Sequence, residues 1–275
     1  MTETLLKVEG ATVRFGGRRW SKAGFVAVDA VSFEVHAGKT MGLVGESGSG
    51  KTTIGRVILG LTPLSSGRIA YKGNDISHLS RSERRRLASD IQVVFQDPYS
   101  SLNPTLSVED ILAEPLEVAG KSRVDARQRI RQLLDQVGLP ANAGQRLPRE
   151  FSGGQRQRIA IARALALEPR LIICDEPVSA LDLSTQARIL DLLVDIQETT
   201  GVAYLFVSHD LSVVRYISHD VIVLNRGKIV EAGEGMEVTT RPKELYTRRL
   251  LMAAPVPDPV RQAERREEWR RLSTS

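Results

Sequence analysis

Apolar and polar positions recur with two periods along this chain. Near the start, Leu6, Val8 and Val13 with Thr12 predict an edge strand. Val31-Ser32-Phe33-Glu34-Val35 alternates strictly, and Lys39 to Val44 reads as a mostly apolar strand running into glycines. Between the first two lies Gly16 to Gly24, rich in glycine and arginine, which reads as a surface loop. A helix is predicted from Lys51 to about Leu61, stopped by Pro63. Gly67 to Tyr71 and Ile91 to Phe95 read as short strands separated by a basic helix, Ser82 to Ala88.

From Asp97 to Glu150 strand signals vanish. Two helical stretches, around Ser107 to Val118 and Arg123 to Val137, are bracketed by Pro98, Pro104, Pro140 and Pro148, which predicts a helical subdomain. Alternation then returns: a helix from Ser152, a strand Leu171 to Cys174, a helix Thr185 to Thr199, a strand Ala203 to Val207 and a helix Leu211 to Ile217. Strands alternating with helices favour a parallel sheet covered on both faces. No internal repeat is visible, and the charged tail beyond Pro255 reads as a solvated helix or a frayed end.

Composition narrows the class. The 275 residues allow one large domain or two small ones, at roughly 150 residues per domain. Apolar residues at 41% and charged residues at 26% exclude wholesale disorder. Cys174 is the only cysteine, so an intramolecular disulfide and a cysteine-held zinc or iron–sulfur centre are excluded, which fits a cytosol-facing protein. The balance of 38 basic against 33 acidic residues permits contact with nucleic acid or anionic lipid without demanding it. Met1 to Gly10 mixes Glu3, Lys7 and Glu9 among apolar residues and does not read as a signal peptide. No apolar run approaches the roughly 18 residues of a membrane span, and the longest, such as Val202 to Val207, have the length of buried strands.

The strongest chemical signal is Gly45-Glu46-Ser47-Gly48-Ser49-Gly50-Lys51-Thr52, which fits the phosphate-binding loop pattern at every defined position between a predicted strand and a predicted helix. Glycines let the backbone wrap closely, so N–H groups turn inward at phosphate oxygens, and the following helix adds its positive end. With Thr53, these residues form the candidate nucleotide-binding set; Lys51 would reach the β- and γ-phosphates and the Thr52 hydroxyl would ligate Mg²⁺. Leu171-Ile172-Ile173-Cys174-Asp175-Glu176 supplies two acids at the end of an apolar strand: Asp175 to orient Mg²⁺ through its water shell, Glu176 to polarise the attacking water. Phe151-Ser152-Gly153-Gly154-Gln155 opens a helix with Ser152 as N-cap, either an ordinary capped helix or a second anion-binding start serving a nucleotide on another subunit.

In this order the elements resemble the ATP-binding cassette family, over nearly the whole chain. Ser152, Gly153, Gly154 and Gln155 look like its signature, with Phe151 in the usual Leu place. Gln96 looks like the Q-loop glutamine, Ser179-Ala180-Leu181-Asp182 like the D-loop, and His209 like the switch histidine. The resemblance implies an α/β P-loop NTPase fold with a mostly parallel central sheet, an antiparallel β subdomain and an inserted α-helical subdomain. The ATPase core would be 1–96 and 151–240, the helical signature subdomain 97–150, and a C-terminal extension with a basic tail 241–275. It also implies ATP and Mg²⁺, with Gln96 joining the metal or the water, His209 bonding the γ-phosphate beside Glu176, and Asp182 at a dimer seam. The family stacks adenine on an aromatic after the first strand; Phe15 is the best match here, with Trp20 and Phe25 as rivals.

Within the family the chain resembles the ATPase subunits of oligopeptide and dipeptide importers, with nickel and glutathione relatives. The residues behind this are Gln96-Asp97-Pro98-Tyr99-Ser100-Ser101-Leu102-Asn103-Pro104 and Tyr246 to Pro257. Val178, where many relatives carry Thr, resembles the second of the two paired ATPases. The implied partners are membrane permease subunits, a second and paralogous cassette, and an extracytoplasmic solute-binding protein, with the chain peripheral on the cytoplasmic face of the cell membrane. A DNA-repair ATPase would carry coiled coils or zinc cysteines between the motifs, and a ribosome-associated protein two cassettes; an exporter subunit shares the nucleotide chemistry. The basic clusters Arg81 to Arg86 and Lys121 to Arg131 lack interleaved aromatics and read as solvated faces rather than a nucleic-acid surface.

Overall fold

The computed structural model describes residues 3–16, 24–97 and 101–253. In chain order its elements begin with β1 (Thr4–Phe15), β2 (Phe25–His36), β3 (Thr40–Val44), α1 (Lys51–Ile58), β4 (Ser66–Tyr71), β5 (Asn74–Asp75), α2 (Arg81–Leu87) and β6 (Ile91–Val94). Then come α3 (Val108–Val118), α4 (Arg123–Gln136), two short 3-10 turns, α5 (Gly153–Leu165), β7 (Leu171–Asp175), α6 (Leu183–Thr200) and β8 (Ala203–Ser208). The chain ends with α7 (Leu211–Ile217), β9 (Asp220–Asn225), β10 (Lys228–Glu234), α8 (Gly235–Thr240) and α9 (Leu245–Ala253). Among the described residues no helix is long and apolar enough to cross a membrane.

Packing divides the chain into two compact units, one drawn from 1–6, 35–39 and 78–206, the other from 7–34, 40–77 and 207–275. In the first unit, strands in the order β8-β7-β6 form the floor, with β6 and β7 parallel from Ile91 opposite Leu171 to Val94 opposite Cys174. Its helices start where short polar side chains can accept the unsatisfied N–H groups of the first turn. Ser107 with Asp110 and Ser152 with Gln155 form reciprocal capping boxes, and Ser122 caps α4. Helix α4 turns Ala126, Ile130, Leu133 and Leu134 inward, a helical stripe that packs against α3. Four arginines tie this helical layer together by donating to chain carbonyls: Arg129 to Leu165, Arg156 to Pro148, Arg158 to Val137 and Arg163 to Ser101.

In the second unit one sheet runs β2-β1-β4-β5, with β4 and β5 antiparallel. β1 is therefore not the edge strand its weak apolar spacing suggests: it is hydrogen-bonded on both sides, and Val8 and Val13 are buried. The other strands run β10-β9-β3, with β3 parallel to β9 from Met41 opposite Asp220 to Val44 opposite Val223. The β9–β10 hairpin has no counterpart in the sequence reading. Its two-residue turn places Arg226 at φ 48° and Gly227 at φ 82°, the doubly positive geometry that matches strand twist, but without the Asn-Gly pair that announces it.

Candidate active site

The phosphate loop lies between β3 and α1 in the second unit, as its pattern requires. Two of its glycines are dictated by close approach: a Cβ on Gly45 would sit 2.2 Å from the Leu224 carbonyl oxygen, and one on Gly50 2.4 Å from that of Ala27. Gly50 also holds φ 108°, in the region that L side chains avoid. Lys51 opens α1 and is only 4% exposed. A buried ammonium needs acceptors, and its Nζ donates to the carbonyls of Gly45 (2.7 Å) and Glu46 (2.9 Å). The Glu46 carbonyl also accepts from Ser49 N–H at 3.1 Å, which closes the loop on itself.

The N–H groups of Ser47, Gly48 and Gly50 meet no protein acceptor among the described residues. The buried Ser49 hydroxyl has none either. A ring of unspent N–H donors beside a buried ammonium is a donor set for anionic oxygen, and it fits a polyphosphate. No group of three or more His, Cys, Asp or Glu among the described residues could hold a metal by itself. The half-buried Thr52 hydroxyl fits one ligand of a Mg²⁺ ion that is brought in by phosphate oxygens.

The same unit carries the aromatic candidates. Phe15 ends β1 and is 45% exposed; Phe25 opens β2 and is 66% exposed. The two strand ends approach closely, since a Cβ on Gly24 would stand 2.4 Å from the Gly16 carbonyl oxygen and 2.9 Å from that of Phe15. Trp20 lies outside the described residues. His209 directly follows β8 and is exposed, and Asp210 beside it caps α7 through Ser212 N–H at 2.7 Å.

In the first unit the acids stand at the carboxyl end of β7, whose Leu171 to Cys174 are fully buried. Asp175 and Glu176 are half-buried there. Burial pushes the Cys174 thiol far up, so it is inert. Glu176 holds φ 48°, a left-handed conformation that costs a non-glycine residue on the order of 1–3 kcal/mol and recurs at functional sites. Gln96 Nε2 donates to Glu176 Oε2 at 3.2 Å and to Ser179 Oγ at 3.4 Å, while Ser179 Oγ donates to the Glu176 carbonyl at 3.1 Å. The structure thus brings Gln96 and Glu176 together and adds Ser179, which sequence reasoning noted only as part of the D-loop.

Ser152 caps α5, its Oγ accepting from Gln155 N–H (3.3 Å) while Gln155 Oε1 accepts from Ser152 N–H (3.0 Å). Gly153 and Gly154 face the start of α6: a Cβ on Gly154 would lie 2.4 Å from Thr185 Cγ2. Asp182 is the N-cap of α6, accepting from Ser184 Oγ (2.7 Å), Thr185 N–H (3.0 Å) and Thr185 Oγ1 (2.7 Å). These donors, the two hydroxyls foremost, hold its carboxyl well below the usual carboxylate range. Pro98 to Ser100 and the tail from Ala254 lie outside the described residues.

Residues 28–179 match the ABC transporter family. The chain is 54% identical over 235 residues to the oligopeptide transport ATP-binding protein OppD of Mycobacterium tuberculosis, covering 86% of this chain and 38% of that protein. It therefore spans well under half the length of that relative. It is 49% identical over 245 residues to the oligopeptide transport ATP-binding protein OppF of Lactococcus lactis, covering 88% of this chain and 76% of that one. Among solved structures it resembles the ATP-binding cassette MJ0796, seen as a post-hydrolysis dimer bound to ADP and Pi. The TM-score is 0.73 and the identity 28%, over 84% of this chain and 98% of that one. Its fold is that of an ATPase cassette, and the chain belongs to the ABC transporter family.

Proposed function

We propose that this chain is the ATP-hydrolysing subunit of a peptide importer, working as a nucleotide-sandwich dimer. The observation that carries the reading is the contact of Gln96 with Glu176 at the end of β7, in a chain that also holds an intact phosphate loop. In this reading the N–H groups of the loop and Lys51 grip the β- and γ-phosphates. Glu176 takes a proton from water as its oxygen attacks the γ-phosphorus, and the bond to the β-phosphate oxygen breaks to leave ADP and phosphate. His209 hydrogen-bonds the γ-phosphate and Phe15 stacks on adenine. Thr52, with Gln96 and Asp175, would hold Mg²⁺, and the ion would supply charge complement to the phosphate oxygens.

Ser152, Gly153, Gly154 and Gln155 would close on the nucleotide of a paralogous cassette, and Asp182 would stand at the seam. The naming of relatives as oligopeptide transport proteins supports the cargo class and permease partners. A cleft of about 650 Å³ in the first unit fits a permease segment: it is lined by Phe95, Leu102, Val118 and Ala119 with Arg85 and Arg86 at its rim. Phe95, in its lining, directly precedes Gln96 in the chain, so nucleotide occupancy at Gln96 and permease contact would be felt by the same strand end. The 97–150 segment would carry that movement, and the subunit would sit at the cytoplasmic face of the membrane with a solute-binding protein outside.

The test is Glu176→Gln. Steady ATP hydrolysis should fall to background while ATP binding persists, and light scattering should record an ATP-dependent dimer that does not reopen. Undiminished hydrolysis would remove Glu176 from the water-activating role.

A further inference from the structure

The geometry points to Tyr246 as a positioning residue of the phosphate loop, through which helix α9 raises the affinity for nucleotide. This rests on the loop being the ATP site. The Tyr246 hydroxyl accepts from Glu46 N–H at 3.1 Å, across a separation of 200 residues. The Glu46 peptide is the knot of the loop, because its carbonyl accepts both Ser49 N–H (3.1 Å) and the Lys51 ammonium (2.9 Å). Whatever fixes Glu46 therefore fixes the lysine that would meet the phosphates.

The contact is built rather than incidental, because α9 is itself tied down on three counts. The Glu231 carboxylate, on β10, accepts from Lys243 N–H (2.7 Å) and Glu244 N–H (3.3 Å) at the entry to the helix. Arg248 Nε donates to the Pro242 carbonyl at 2.9 Å. Thr247, next to Tyr246, is fully buried. The phenol is half-buried, and its desolvation keeps it protonated. Linkage then works in both directions: a docked α9 holds the loop ready, and a nucleotide that fixes the loop fixes α9 by the same factor.

The experiment is Tyr246→Phe in the full chain, which removes one hydroxyl and leaves the ring. Titrated with a fluorescent ATP analogue, the variant should bind roughly two- to tenfold more weakly, the loss expected of one hydrogen bond. The nucleotide-free thermal midpoint should fall by no more than the few degrees that one hydrogen bond is worth. Hydrogen exchange should show ATP protecting Leu245–Ala253 in the natural chain and failing to do so in the variant. Glu231→Gln, which loosens the helix entry, should weaken binding in the same direction. Unchanged affinity, persisting ATP protection of α9, or a midpoint that falls by far more than one hydrogen bond is worth each overturns the assignment. A natural chain that binds no ATP analogue would refute the nucleotide site instead. Exchange of the Glu46 amide without nucleotide still decides the contact in that case: it quickens in Tyr246→Phe, or the bond is not made.

Discussion

Gly154→Ala separates two explanations for a signature glycine. In one, the missing side chain lets a nucleotide approach from another subunit; in the other, it makes room for a neighbour within this chain. A Cβ at Gly154 would meet Thr185 Cγ2 at 2.4 Å, against 3.4–4 Å for ordinary contact. Thr185 cannot swing away at little cost, since its Oγ1 and N–H are both bonded to the Asp182 carboxylate. Overpacking of this kind costs about 1–3 kcal/mol, and replacing glycine by alanine in a helix returns about 0.5–1 kcal/mol. The net loss is roughly 1–2 kcal/mol, or a thermal midpoint lower by about 3–6 °C for a chain of this size. Thr185→Ser removes the offending methyl and keeps the hydroxyl for Asp182. Scanning calorimetry on Gly154→Ala, Thr185→Ser and the double variant should find the double variant as stable as Thr185→Ser alone. Gly154→Ala as stable as the natural chain, or undiminished destabilisation in the double variant, would refute the packing argument. ATPase assays on the same proteins then separate the roles. Hydrolysis that stays lost in a double variant of restored stability assigns the remaining defect to nucleotide approach.

Two further outcomes follow from the site. Lys51→Ala removes both the buried ammonium and its two bonds to the loop carbonyls, so ATP affinity should fall at least tenfold by calorimetric titration; unchanged affinity would take Lys51 out of the phosphate site. Asp182→Asn should lower the thermal midpoint at pH 7, and that effect should start to diminish below about pH 4. The Asp182 carboxyl is depressed in the folded chain, so its contribution is full above the unfolded carboxylate value of about 3.9 and fades as pH falls below it. The gap between the midpoints should therefore be constant from pH 7 to about pH 4 and begin to narrow toward pH 3, and a gap that stays constant throughout would mean that cap geometry rather than charge stabilises α6.

The site was legible where its chemistry is local and obscure where it depends on distant backbone. The phosphate loop and the Ser152 cap each occupy a few consecutive residues, so spacing offers them as candidates, and the acids ending β7 become candidates once the loop is recognised upstream. The β9–β10 hairpin was missed because its turn is Arg226-Gly227, and because buried Val221 to Leu224 reads as strand or helix alike without periodicity. β1 was misjudged as an edge because pairing on both sides is a property of neighbours, not of its own residues. Asp182 belongs to a third class. A residue read as a seam between subunits is, within the chain, a helix cap whose carboxylate is already engaged by three donors. The two descriptions are compatible: the exposed carboxylate keeps acceptor capacity beyond its three donors, and it can also serve a seam through what it holds. By fixing Thr185 it fixes the methyl that packs over Gly154, so the Asp182 cap and the start of α5 are joined through one side chain. In the proposed sandwich dimer, reopening would carry both motifs together, because separating them would expose the packed methyl and break the cap at once.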